Sequence, residues 1–174
     1  MTGADVLALG LFLVLVLGSG ATGGIFRPGD WYARLDKPWW TPPNLAFPIV
    51  WGALYLLIAL SGWLVWRAGG AAAAPALLLY GVNLLLGAAW SWLFFGLKRM
   101  DLAFVDLLLF WASIIALIFL FADWSRAAAW LLVPYASWVS VAGLLNASLW
   151  RRNGARGERA SLRNPWPGAS PPAR

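Results

Sequence analysis

Five apolar runs, at about residues 6–25, 46–66, 76–95, 102–121 and 130–150, leave this 174-residue chain few folds to choose from. Each is close to the roughly 20 residues a helix needs to cross a hydrocarbon core about 30 Å thick. Lipid offers no hydrogen bonds to a bare backbone, so runs of this length are expected to be helices. Only 11% of the residues are charged, against about 25% in soluble domains; such a surface cannot all face water. The connections at 67–75, 96–101 and 122–129 are short, which makes sequential helices antiparallel neighbours. The expected fold is an all-α integral membrane protein, one bundle of five transmembrane helices over residues 1–152. A lid loop occupies 26–45, and a basic tail at 153–174 is expected to be disordered.

Charge and residue usage narrow the chemistry. The first run lacks a preceding Lys or Arg and a convincing cleavage region, so it reads as a retained span rather than a signal peptide. Of the 13 basic residues, Arg67 and Arg126 lie on the N-terminal side of the spans and the other eleven on the opposite side. That bias puts the C-terminus in the cytoplasm if the host is a bacterial inner membrane. The net charge of +6 gathers beside the last span and in the tail, where anionic headgroups account for it and nucleic acid is not needed as a partner. The chain has no cysteine and no histidine, which removes disulfides, thiol nucleophiles, the common axial haem ligands and soft metal sites. No metal site is assigned and no cofactor is required.

The segment Lys37-Pro38-Trp39-Trp40-Thr41-Pro42-Pro43 interrupts the apolar pattern. Its prolines make a poor helix and a rigid backbone, and its indoles carry large apolar area with little rotamer entropy to lose. A loop bearing Trp31, Tyr32, Trp39 and Trp40 packs on the lipid interface or on the mouth of the bundle. The density of prolines favours the mouth, and with it the binding of a flat apolar molecule.

Helical spacing supplies matching walls. Trp51, Tyr55 and Ile58 share a stripe in the second span; Asn83, Gly87, Trp90 and Phe94 do so in the third; Tyr135, Trp138, Ala142 and Asn146 in the fifth. Large rings among small residues describe a slot with flat surfaces. Asn83 and Asn146 are costly in lipid and are expected to face inward, where they also suit interhelical hydrogen bonds of about 0.6–2 kcal/mol. Asp106 is expected near the cytoplasmic interface, paired with Lys98, Arg99 or Arg152. No second carboxylate shares a span with it, so an acid–base pair has no foundation. Pro134 is expected to bend the fifth helix and point to the bundle interior. Gly10, Gly18, Gly20, Gly23 and Gly24 of the first span suit close helix packing, and Gly81, Gly87 and Ser91 of the third offer a small-residue face for a subunit contact.

Taken together, Trp31-Tyr32 with Leu35, Lys37-Pro38-Trp39-Trp40, Pro42-Pro43, Phe47-Pro48, Trp51, Leu54-Tyr55, Asn83, Trp90, Phe94-Phe95-Gly96, Pro134-Tyr135, Trp138 and Leu145-Asn146 resemble the tryptophan-rich sensory protein and mitochondrial translocator protein family. The resemblance covers about residues 15–152. It implies a five-helix bundle, commonly a homodimer, whose first loop closes over a pocket for porphyrins, haem and synthetic benzodiazepine-type ligands. Carried over by residue, the implied pocket is Trp39, Trp40, Phe47, Trp51, Tyr55, Asn83, Trp90, Tyr135, Trp138 and Ala142.

The implied function is a membrane protein that binds tetrapyrroles as sensor, regulator or carrier. Light- or oxygen-dependent breakdown of protoporphyrin, with Trp39 and Trp138 as the residues involved, and transport of lipophilic ligands are the alternatives. No catalytic residue is assigned. Propionates of a bound porphyrin are expected near Lys37, Arg34 or the headgroup zone. The sterol-type pattern at the end of the fifth helix lacks its tyrosine in Leu144–Arg152, so no sterol site is expected there. Trp90-Ser91-Trp92 lacks a proline that many relatives carry, which predicts the loss of a local kink.

Overall fold

A computed structural model of the protein describes residues 2–163, and these are helical throughout apart from connecting turns and loops. The long helices are α1 (Gly3–Ile25), α3 (Ala46–Gly69), α4 (Ala74–Ser91), α5 (Met100–Ala122) and α7 (Val133–Asn153). Three short ones, α2 (Asp30–Arg34), α6 (Arg126–Leu131) and α8 (Glu158–Arg163), sit in the connections and after α7. By length and composition, four segments among the described residues can cross a membrane: Gly3–Ile25, Ala46–Gly96, Met100–Ala122 and Arg126–Asn153. Five transmembrane helices are therefore not what a count of such segments returns. The Ala46–Gly96 segment has 51 residues and folds back on itself. Its turn is the 3-10 stretch Gly70–Ala73, entered through Gly70 at φ 50°, a left-handed backbone that suits glycine. Tyr80 Oη donates to Ile58 O at 3.1 Å across 22 residues of sequence, which a straight helix would hold about 33 Å apart.

Local sequence explains where the helices begin and break. Thr2 and Asp5 form a reciprocal capping box at the start of α1, and Ser125 caps α6 through the Ala128 amide. α4 ends in a π-helical turn over Trp92–Gly96, closed by Leu97 N to Trp92 O at 2.8 Å. The predicted loss of a kink is thus offset one residue later, where the helix leaves α geometry without any proline. The fifth span is divided at Leu132 between α6 and α7, and Pro134 lies in the first turn of α7, exposed. This corrects the expectation that Pro134 bends the helix and marks the interior: in a first turn its missing donor has no partner to lose.

The outer face suits lipid. Leu7, Leu78, Leu85, Phe119 and Trp130 are all more than 70% exposed, an arrangement that water would penalise and a hydrocarbon solvent does not. Ile58, Val65, Ile114, Leu117, Phe121 and Leu132 form the main core. A second cluster joins Tyr32 and Leu35 of the loop to Phe94, Met100, Leu145, Leu149 and Ala160. Ala160 is buried and α8 is helical, so the tail expected to be disordered from 153 is ordered over 153–163; residues 164–174 lie outside the described residues.

The ends of the bundle separate as the basic residues suggested. Arg67 pairs with Asp5 at 3.7 Å at the end that holds the start of α1. Trp31, Met100 and Ala155 meet at the other end. Asp106 is the exception. Arg99 pairs instead with Asp101 at 2.6 Å and Arg152 with Asp36 at 3.5 Å. Asp106 is 9% exposed, and its Oδ2 has no hydrogen-bond partner among the described residues. The reason is rotation about α5: Asp106 follows Ala103 and precedes Phe110 on the buried face, whereas Asp101 lies on the more open one.

Candidate functional site

A cavity of about 450 Å³ opens at the α2 end of the bundle, bounded by α1, α3, α4, α5, α7 and the 26–45 loop. Among the described residues, ten of its lining side chains are aromatic and none is charged, a wall that disfavours ions and favours flat apolar surfaces. The stripe residues Phe47, Trp51 and Tyr55 reach it from α3, Trp90 from α4, and Tyr135, Trp138 and Ala142 from α7. Their rings brace one another. Trp51 lies 5.5 Å from Tyr55 and 6.1 Å from Tyr135, edge-on in the second case; Phe47 meets Trp138 edge-on at 5.7 Å; Trp90 stacks on Phe94 at 5.1 Å. Such contacts add about 0.5–1.5 kcal/mol each beyond burial and hold the walls in place before any ligand arrives.

The polar groups behind the rings fix their orientation. Asn83 is 1% exposed and does not line the cavity. It donates to Ser113 Oγ at 2.8 Å and accepts from Tyr135 Oη at 3.1 Å. Its place is therefore one layer back, holding the Tyr135 ring against the wall. Asn146 does line the cavity, accepting from Trp90 Nε1 at 3.3 Å and donating to Met100 O at 2.8 Å. Trp138 Nε1 is buried and has no acceptor among the described residues.

The lid differs from the expected one. Trp39 is 94% exposed and Trp40 36% exposed, and neither lines the cavity. Both rings sit on the turn from Pro38 to Thr41, closed at 3.0 Å. The cover comes from Pro28, Tyr32 and Asn44. Tyr32 is buried on α2 and meets Phe94 and Phe95 edge-on at 6.2 and 5.6 Å. Lys37 does not reach inward: its Nζ folds back to Ala33 O at 3.1 Å and sits 4.7 Å from the centre of the Tyr32 ring. Burial lowers the Lys37 ammonium below its usual range and raises the Tyr32 phenol above it.

The stripes missed one wall. Ser19, Gly20, Thr22, Gly23 and Gly24 of α1 line the cavity, as do Leu107 and Phe110 of α5. The signal lay in the glycines, read only as packing residues. The Tyr55 ring occupies the space that a side chain on Gly20 would take, so this glycine makes room for a cavity aromatic. Gly87 likewise faces Phe110 and Ser91 lines the cavity, leaving Gly81 alone open on the outer face of the expected α4 subunit stripe.

An aromatic cavity within membrane-length helices defines an integral membrane protein with a sensory or binding role. The chain belongs to the TspO/MBR family, whose model matches residues 11–151. Protein CrtK of Rhodobacter capsulatus is 40% identical over 150 residues, covering 82% of this chain and 91% of its own. The tryptophan-rich sensory protein of Cereibacter sphaeroides is 36% identical over 151 residues, with 85% and 94% covered. The translocator protein of Homo sapiens is 38% identical over 159 residues, with 87% and 94% covered.

Proposed function

We propose that this protein binds porphyrin or haem-type tetrapyrroles in the aromatic cavity and acts as their sensor, regulator or carrier. The observation that carries this reading is the wall itself: ten rings and no charge around about 450 Å³, within the roughly 300–1,000 Å³ of small-molecule sites. The macrocycle stacks on indole and phenol faces, and Trp51, Tyr55, Trp90, Tyr135, Trp138, Phe47 and Ala142 make the contacts. Trp39 and Trp40 contribute through the membrane interface, and Asn83 through Tyr135. With no histidine or cysteine in the chain, recognition rests on the ring system rather than on those axial ligands to iron. The sensory and translocator names of relatives agree with a binding role. Light- or oxygen-dependent breakdown of the bound ring is the alternative, with Trp138 of the wall as its candidate residue, and multiple turnovers with the protein intact would favour it over binding alone.

The same reading includes five membrane passes, the 51-residue apolar segment counting twice, with the C-terminus cytoplasmic in a bacterial inner membrane. It also includes a homodimer, tested by the mass of the detergent-solubilised particle. The deciding experiment is a tryptophan-quenching titration with protoporphyrin IX, corrected for inner-filter effects and run against empty micelles, on wild type, Trp51→Ala and Trp138→Ala. Saturation in wild type, weakened about tenfold or more in both folded variants, is expected from the loss of a stacking face. Linear partitioning in every sample sinks the tetrapyrrole assignment.

A further inference from the structure

The chain beyond the last long helix is fastened to the lid from outside. Asn153, the final residue of α7, is 0% exposed. Its side chain makes a two-way clasp with the loop: Asp36 N donates to Asn153 Oδ1 at 2.8 Å, and Asn153 Nδ2 donates to Asp36 O at 3.0 Å. Asn153 Nδ2 also reaches Leu149 O at 2.9 Å, which fixes the amide to its own helix. Three residues on, Arg156 O accepts from Trp31 Nε1 at 2.9 Å. Met100 N donates to Ala155 O at 2.8 Å, tying the same stretch to the start of α5. Gly157, at φ 85°, lets the backbone turn against α2; a Cβ there would stand 3.1 Å from both Trp31 Nε1 and Leu35 Cδ2. Ala160 then completes the apolar cluster that holds Tyr32 and Leu35.

α2 is thus held on two sides. Tyr32 lines the cavity, while Trp31, Leu35 and Asp36 are gripped by residues 153–160. We propose that residues 153–160 are a strap that latches α2 shut over the cavity, with Asn153 as its positioning residue, and that releasing the strap opens the cavity at this end. The proposal rests on the reading of the cavity as a ligand site, but the latch itself is a property of the chain alone. The more buried part of the grip is the Asn153 clasp; the Trp31 bond is exposed. The Arg152–Asp36 pair beside them is 3.5 Å long, with side chains 44% and 37% exposed, and contributes little in solvent.

The absence of native cysteine permits a test that needs no ligand. In an Ala142→Cys background the single thiol sits in the cavity wall, and its rate of modification by methyl methanethiosulfonate reports access. Two strap variants are added to it: Asn153→Ala, and a truncation that removes residues 154–174. Both are expected to label about tenfold faster, the rate equivalent of losing one or two net hydrogen bonds, and to lose hydrogen-exchange protection over residues 30–36. Peptides from α3 and α5 are expected to stay protected, and Arg152→Ala to change the labelling rate less than about twofold. If Asn153→Ala loses protection in α3 and α5, the truncation decides, since it leaves every residue of α1 to α7 in place. An unchanged labelling rate in a folded strap variant overturns the latch, as does faster labelling without any loss of protection over 30–36. Failure of protoporphyrin IX to saturate the wild type would instead sink the ligand assignment and leave these rates to judge the strap.

Discussion

At the scale of single residues, burial of a polar group says whether it serves the ligand or the wall. Asn83 and Asn146 both read as inward amides, and helical spacing alone put Asn83 on the stripe with Trp90. The structure separates them: Asn146 borders the cavity, while Asn83 spends its amide on Ser113 and Tyr135. Asn83→Ala takes the acceptor from the buried Tyr135 hydroxyl and a donor from Ser113 Oγ, which still donates to Phe110 O at 2.7 Å. It is expected to lower stability by about 1–2 kcal/mol, read as a fall in the thermal midpoint in micelles. Gly20 makes the opposite point, since its value is an absent side chain. Gly20→Val is expected to displace Tyr55 and weaken protoporphyrin IX binding about tenfold or more by quenching titration, a loss comparable to removing one aromatic contact. Gly10→Val, where a Cβ meets nothing within 4 Å, is the matched control and is expected to leave binding unchanged. Trp39→Ala is likewise expected to shift affinity less than about threefold, as an exposed anchor would.

Among elements, breaks in the helices matter more than the helices. Periodicity located the apolar stretches, because lipid and core both select apolar side chains and a 3.6-residue repeat survives in the aromatic stripes. It did not locate the division at Leu132, where the Ala128 carbonyl accepts from Ser61 Oγ of α3 at 2.8 Å, or the π-turn at Trp92–Gly96, closed locally from Leu97 N to Trp92 O. Pro134 shows the consequence. Deep in a helix it would remove a hydrogen bond and clash with the preceding turn; in the first turn of α7 it does neither. Pro134→Ala is accordingly expected to change stability by less than about 0.5 kcal/mol, measured by thermal unfolding. A loss of about 3 kcal/mol, the magnitude for an interior position, would contradict the division of the span.

For the molecule as a whole, the two ends of the bundle differ in charge and in purpose. The end with Asp5 and Arg67 closes on a helix-to-helix core, with Trp63 Nε1 bound to Asp5 O at 2.9 Å. The other carries most of the basic residues, the lid and the strap. The proposed five passes would put the termini on opposite sides of the membrane, and the basic bias would then put the strap in the cytoplasm. Reporter fusions to each terminus in a bacterial host are expected to show only the C-terminal one active in the cytoplasm. The same activity from both termini would mean an even number of passes and would remove the lid and strap from the side argued for them.

The sequence by itself determined the solvent and the class of fold: runs this long and this apolar have no place but lipid, and in lipid only helices satisfy their own backbone. It also determined most of the aromatic wall, since Trp51, Tyr55, Trp90, Tyr135 and Trp138 recur at spacings that bring each set to one helix face. Only the tertiary structure decided what depends on the rotation of one helix against another. It paired Arg99 and Arg152 with Asp101 and Asp36 rather than with Asp106, kept Trp39 and Trp40 off the cavity wall, and put Tyr32 on it. It also drew the segment after α7 into the fold, because Asn153 and Ala160 find buried partners in a loop more than 110 residues earlier that no local pattern joins to them.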